Sequence, residues 1–292
     1  MELVHIENPN FEIMQKIIEL EESAFEGAGN VDLWIIKALI RYGMVFVVKE
    51  GDKIVCIVEY MQVFNKKSLF LYGISTLKEY RHKGYANYIL NETEILPTAH
   101  KKYINANDGV LPLTKEMTIL SDYGKAWLDI DYSHSKIRSF LANKLGVERV
   151  SILDFSRYLA DNGILKRKNN EWLLDYYALC VNHCNKNSGW YEKSEANKLK
   201  EVPIIKTRTG KFVSAYIDED AQVFRYSKGI PSSKLIHGLF TSKNLPDNKK
   251  EEMRRFLSML DIKERSPRQY IESTILAEWN ELSNKDKKNV FF

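Results

Sequence analysis

Phe70-Leu71-Tyr72-Gly73-Ile74-Ser75-Thr76-Leu77 runs through Lys78-Glu79-Tyr80 into Arg81-His82-Lys83-Gly84-Tyr85-Ala86-Asn87-Tyr88-Ile89-Leu90. The first run is apolar and β-favouring, the middle triplet is a charged turn, and the last run opens a helix. Main-chain N–H groups in the first turn of a helix have no partner inside it. Together with the helix dipole they suit a bound anion. Gly84 lets the backbone approach such a ligand with no side chain between them, and Ala86 keeps the next approach small. Arg81, His82 and Lys83 add positive or ionisable groups at the same place. The stretch predicts a phosphate cradle; the plainer reading is an ordinary strand–helix connection with a basic turn.

Upstream, Asn8-Pro9-Asn10 punctuates the start, and Ile13, Met14, Ile17, Ile18 and Leu20 recur at helical spacing from Phe11 to Phe25. Glu26-Gly27-Ala28-Gly29-Asn30 breaks that helix. Asp32 then stands at an N-cap position ahead of a second apolar helix from Leu33 to Ile40. Met44 to Lys49 and Lys53 to Phe64 read as two strands joined by the turn Glu50-Gly51-Asp52. Asn65-Lys66-Lys67-Ser68 turns the chain into the opening stretch.

The spacing Arg81-x-x-Gly84-x-Ala86, after two helices, a hairpin and a strand, resembles the (Arg/Gln)-x-x-Gly-x-(Gly/Ala) signature of the GNAT acetyltransferases. The resemblance implies that residues 1–94 are the acetyl-CoA-binding half of a GNAT domain, a partial mixed sheet with flanking helices. Arg81, His82, Lys83, Gly84, Tyr85 and Ala86 would hold the pyrophosphate of acetyl-CoA. Ile74, Ser75 and Thr76 would pair through their backbone with its pantetheine arm. The acceptor, an amine on a small molecule, a protein N-terminus or a lysine, must lose a proton before it attacks the thioester. Glu59, on the neighbouring strand, is the carboxylate that would take it; the alternative is a solvent-facing or salt-bridged residue. Tyr60 and Tyr72 read as packing aromatics, and Glu21 and Glu22 as solvated charges near the end of the first helix.

Beyond Glu94 the pattern departs from that family. Pro97 forbids continuing the helix. Trp127-Leu128-Asp129-Ile130-Asp131 and the segment from His134 to Leu141 only loosely echo the expected strand and helix, with His134 and Leu141 where Asn and Tyr would stand. An internal repeat accounts for this region better. Ile95-Leu96-Pro97-Thr98-Ala99-His100-Lys101-Lys102-Tyr103-Ile104-Asn105-Ala106 parallels residues 204–215 at an offset of 109, and Phe140-Leu141 parallels Phe256-Leu257 at an offset of 116. Residues 95–292 therefore read as a second α+β region built of two hairpin-plus-helices units, about 95–200 and 201–292. Those units resemble the repeat region of sacsin-like and NO VEIN-like GHKL-ATPase proteins, without the ATPase module. That likeness implies a surface for a protein partner and no chemistry of its own.

The 292 residues, 44% hydrophobic, suffice for two domains with real cores. A net charge of +4, with Lys and Arg interleaved with Asp and Glu, gives no argument for nucleic acid. No apolar run reaches a membrane span, and the first residues do not read as a signal peptide. Cys56, Cys180 and Cys184 give no disulfide framework, and a cytoplasmic protein is expected. Cys180 and Cys184 flank His183 on one helix, but two thiols and one imidazole do not complete a zinc site, so no metal is expected. Acetyl transfer to an amine is the leading function. A non-catalytic scaffold or interaction protein carrying an incomplete acetyltransferase half is the alternative, and a strand completing the sheet beside residues 70–77 would decide between them.

Overall fold

The computed structural model describes residues 1–25, 33–62, 69–100, 102–121, 123–130, 135–186, 190–225, 230–265 and 268. The expected N-cap at Asp32, the turn at 65–68, His134 and the apolar end Val290-Phe291-Phe292 lie outside them. The protein is mixed α+β with several small sheets. It divides into two compact units, Met1–Thr118 with Asp122–Arg149, and Ile119–Ser121 with Val150–Phe292.

In the first unit, β1 (Glu2–His5), α1 (Phe11–Ala24), α2 (Leu33–Tyr42), β2 (Gly43–Glu50), β3 (Lys53–Gln62), β4 (Leu69–Thr76) and α3 (Tyr85–Glu92) follow in order. Asn10 caps α1, its Oδ1 accepting from Ile13 N at 2.8 Å. The sheet order is β1-β2-β3-β4 with every neighbour antiparallel. Strand β1 was not expected; it is a short segment whose only apolar pair is Leu3-Val4.

Met14, Ile17 and Leu20 of α1 and Ile36 and Leu39 of α2 cover one face of the sheet, against Val45, Val47 and Ile57. On the other face Ile89 and Leu90 of α3 meet Val58 and Tyr60. They do so together with Leu96, Leu111, Leu128, Leu141 and Leu145, so the compact unit runs past the expected division at Glu94 to Arg149. The α3 face is too wide for one eight-residue helix, and the segment after Glu94 supplies the rest of its core.

That segment contains β5 (Leu96–Pro97), β6 (Tyr103–Ile104), β7 (Gly109–Pro112), α4 (Lys115–Leu120), β8 (Ala126–Trp127), α5 (Ser135–Asn143) and β9 (Glu148–Val150). β5 pairs with β6 and β7 with β8. Among the described residues none of them joins β4, which ends the sheet. Among the described residues the four-stranded sheet is antiparallel throughout, not mixed, because no parallel strand adjoins β4 there.

The second unit holds α6 (Ile152–Asp161), α7 (Asn170–Lys186), α8 (Trp190–Leu199), β10 (Ile205–Lys206), β11 (Phe212–Val213), β12 (Tyr216–Ile217), β13 (Asp220–Ala221) and α9 (Asp247–Met259). Ser151 and Asp154 form a capping box on α6. Tyr177 of α7 centres an aromatic cluster, 4.5 Å from Phe256 of α9 and 4.9 Å from Phe240 between ring centroids.

The two segments expected to match do so in main-chain detail. Leu96 faces Ile104 and Pro97 faces Tyr103; at an offset of 109, Ile205 faces Val213 and Lys206 faces Phe212. Thr98 N donates to Lys102 O at 2.8 Å, as Thr207 N does to Lys211 O. A further segment lies against each hairpin, antiparallel at Thr98–Leu128 and at Thr207–Ile236. Each of these segments also pairs in parallel with another strand, Trp127 with Val110 and Leu235 with Phe224. Both terminal helices close on a left-handed residue, Gly146 at φ 69° and Asp261 at φ 56°. Leu141 and Leu257 are turned into their cores as expected; Phe256 is too, whereas Phe140 is 43% exposed.

Candidate functional site

The sequence of β3 alternates into two different cores, and Glu59 falls on the α1 side. It lies opposite Gly73 of β4, while Tyr60 lies opposite Leu71, so Tyr72 is the extra residue of a bulge. The bulge and the glycine make room for a carboxyl group: a Cβ on Gly73 would stand 2.7 Å from Glu59 Oε2. Glu59 is 1% exposed, so the solvent-facing alternative does not hold.

Two residues along β4, Ser75 points to the same face and donates from Oγ to Glu21 Oε1 at 3.1 Å. Glu21 is 2% exposed, which corrects its reading as a solvated charge; Glu22 is exposed as expected. The signal for Glu21 was its place seven residues after Met14 and four after Ile17, on the buried stripe of α1. Glu59 Oε1 and Glu21 Oε2 have no hydrogen-bond partner.

Burial, and after it the charge of Glu21, push the Glu59 carboxyl up to about 8. Burial raises Glu21 too, against the Ser75 hydrogen bond, which pulls it down. Two carboxyl groups in one dry pocket do not both ionise readily, so near neutral pH the pair retains a proton. A carboxyl group with a pKa near the working pH can take a proton from an ammonium and return it. Tyr60 is packed as expected, with burial pushing its hydroxyl up to about 12, while Tyr72 is 40% exposed at the bulge.

The cradle follows from the end of β4. Leu77 N donates to Val55 O at 3.0 Å. By the alternation of an antiparallel ladder, the main-chain groups of Ile74 and Thr76 are then turned to the free edge, and those of Ser75 to β3. A 3₁₀ turn, Lys78–Tyr80, leads to His82 at φ 61° and Gly84 at φ 87°, the N-cap of α3. Such a φ suits glycine, and no atom lies within 4 Å of where a Gly84 Cβ would be, so the mouth of the helix is open. Tyr88 N donates to Gly84 O at 2.9 Å, the first rung of the helix, so the N–H groups ahead of it face outward.

The basic side chains are placed differently from expectation. Arg81 is spent on the fold, with Nε on Thr76 O at 3.2 Å and Nη2 on Ala24 O at 2.8 Å. It pins the cradle to β4 and to the end of α1. Lys83 lies over the Tyr80 ring at 4.7 Å, and Tyr85 donates from its hydroxyl to Glu50 Oε1 at 3.1 Å. His82 is exposed, and Ala86 packs beneath α3 against the core. What the cradle offers an anion is its backbone, with His82 and Lys83 beside it.

In the second unit Cys180 is fully buried and His183 pairs with Glu195 at 3.2 Å. Among the described residues no three His, Cys, Asp or Glu side chains are grouped to hold a metal ion, and no helix is long and apolar enough to cross a membrane. Compared with protein-family models, curated proteins and solved structures, the chain matches none of them.

Proposed function

We propose that the chain is a GNAT-type N-acetyltransferase-like protein that binds acetyl-CoA along β4 and at the mouth of α3. The observation that carries this is the juxtaposition on one strand: an open, glycine-capped helix mouth at one end and a buried carboxyl pair at the bulge. Gly73 and Leu77 are about 13 Å apart at the usual strand rise, a length that an extended pantetheine arm spans. His82 to Ala86 would hold the pyrophosphate through N–H groups, with Arg81 fixing the loop. Ile74 offers the pantetheine amides both of its main-chain groups and Thr76 its N–H, its carbonyl being held by Arg81, and Ser75 holds Glu21 instead. Acetyl-CoA supplies an activated acyl group. Glu59 takes the proton of the incoming ammonium, and Glu21 beside it keeps the pocket selective for a cation, such as the amine of a small molecule, a protein N-terminus or a lysine. In this reading residues 1–94 are a partial GNAT fold, residues 95–292 carry sacsin-like repeat units open to a protein partner, and the protein works in the cytoplasm.

A second reading, a non-catalytic interaction protein, is favoured by β4 being the last strand of its sheet among the described residues. An acyl slot without its second wall holds the thioester loosely, and an error of an ångström can cost about two orders of magnitude in rate. We therefore expect CoA binding with slow transfer. Calorimetry should show CoA binding by the wild-type chain, weaker binding of dephospho-CoA, and at least a tenfold loss, about 1.4 kcal/mol, in Gly84→Val. Absence of CoA binding would sink the cradle and the enzyme together. Acetyl-CoA turnover against polyamines, aminoglycosides and peptides separates the two readings: brisk turnover that collapses in Glu59→Gln makes it an enzyme, and turnover at background in both proteins makes it a binding protein.

A further inference from the structure

A groove of about 460 Å³ lies in the second unit, where the segment Phe240–Lys243 approaches one face of α9. Arg225, Lys243, Lys250 and Arg254 line it, with the hydroxyls of Thr241 and Ser242 and a single carboxylate, Glu264. Arg225 Nε is shielded from solvent and has no hydrogen-bond partner. Ser242 Oγ accepts from Asn244 N at 3.3 Å, which leaves its own proton to donate. The acidic partners of Lys250 and Arg254 sit outward. Lys250 meets Asp247, whose side chain is 99% exposed, and Arg254 meets Glu251 at 3.7 Å with both side chains largely exposed. Pairs of that kind hold their charges weakly and give way to a better ligand.

The matching module of the first unit shows that packing does not require a cation at the place of Arg225. Val110 matches Phe224, so the counterpart of Arg225 is Leu111, a core residue 1% exposed. The counterpart of Arg254, through the Phe140–Phe256 match, is Arg138, whose Nη2 is bound to Pro112 O at 3.3 Å. One framework thus appears with an apolar residue and a satisfied arginine in one place, and with converging, under-used cations in the other. An uncompensated arginine nitrogen shielded from water costs stability unless a ligand meets it.

We propose that this groove binds a phosphate-bearing small molecule. Two guanidinium forks, two ammonium groups and hydroxyl donors around one concavity fit the several oxygens of a phosphate, and four cations against one carboxylate favour a multiply charged anion. The volume lies in the range of small-ligand sites, and the concavity favours a compact anion over an extended polyanion.

The test is calorimetric titration of the full-length chain with pyrophosphate, with succinate as a non-phosphate dianion. Wild type should bind pyrophosphate at least tenfold more tightly than succinate. Lys250→Gln/Arg254→Gln, on half-buried and exposed helix positions outside the core, should lose at least tenfold in pyrophosphate affinity. Arg225→Leu, which installs the residue of the matching module, should lose as much while keeping its melting temperature. The same titrations in a Gly84→Val background, which blocks the pyrophosphate mouth proposed for α3, isolate the groove's share, and both losses should persist there. No pyrophosphate binding in the Gly84→Val background, or binding there that survives both groove variants, would each overturn the proposal. So would a single-stranded oligonucleotide that displaces pyrophosphate at lower concentration, which would make the surface a nucleic-acid contact.

Discussion

Glu59 makes stability depend on pH at the scale of a single side chain. Its carboxyl ionises near the ordinary value in the unfolded chain and at about 8 in the folded one. Below the unfolded value both states hold the proton and stability is at its full level. As pH rises toward about 8 the unfolded chain releases its proton first, so stability falls across that window and levels off above it. The drop is on the order of several kcal/mol, shared with Glu21. Glu59→Gln keeps the shape of the protonated acid and should flatten the profile, leaving the variant more stable than wild type at pH 8 in urea titrations between about pH 5 and 9. An unchanged slope would show that Glu59 is not the group responsible. Gly73→Ala, whose Cβ would press on Glu59 Oε2, should cost about 1–3 kcal/mol, and the cost should vanish in a Glu59→Ala background. Glu59 was singled out through the resemblance alone, as a carboxylate on the strand beside the cradle; its burial follows from its place in the apolar strand Ile54-Val55-Cys56-Ile57-Val58-Glu59. Glu21 was hidden by its neighbours: it sits in Glu19-Leu20-Glu21-Glu22, and only the helical phase separates the buried acid from the exposed ones. The fate of Arg81 was illegible for another reason, since its partners are carbonyl groups that any residue could provide.

Among elements, the two closing helices allow a matched comparison. Phe140 in α5 and Phe256 in α9 hold corresponding places, but Phe256 is fully buried against Tyr177 and Phe240 while Phe140 is largely at the surface. Phe256→Ala should cost about 3–5 kcal/mol and Phe140→Ala less than about 1 kcal/mol, read from denaturant midpoints. Equal costs would mean that the two helices bury their faces alike. The helix and the strand next to the cradle were legible because Gly84 and the apolar periodicities are local signals. The hairpins were legible because the same residue pattern occurs twice. β1 was not, since its strand character comes from pairing with β2 and not from its own four residues. Nor was the place of β4 as the last strand of its sheet among the described residues, because strand partnership is a tertiary property that composition does not encode.

For the molecule as a whole, the α3 face of the first sheet explains where a cut can be made. A chain of residues 1–94 keeps Ile89 and Leu90 but loses Leu96, Leu111, Leu128, Leu141 and Leu145 from the same core. It should fail to give a cooperative melt. Residues 1–149 should give one, followed by circular dichroism. A cooperative transition from residues 1–94 would show that the half domain needs nothing beyond Glu94. The sequence placed that boundary by where a familiar pattern stopped; packing placed it where the apolar demand of the sheet was met.

The shared register of the two hairpins has a kinetic side. Leu96–Ile104 and Ile205–Val213 close with identical pairing, so the return strand of either one is geometrically fit to zip onto the outgoing strand of the other while the chain is still collapsing. Tandem modules misassemble in this way, and such crossed forms are slow to escape. The turns differ where it counts: Gly210 at φ 80° preorganises the second hairpin, and the matching position 101 is a lysine. A hairpin that closes early removes itself from the pool of wrong partners, which makes Gly210 a guard of folding fidelity. Refolding of Gly210→Val should therefore show a slow phase that wild type lacks, and one that grows with denaturant dilution depth and not with protein concentration.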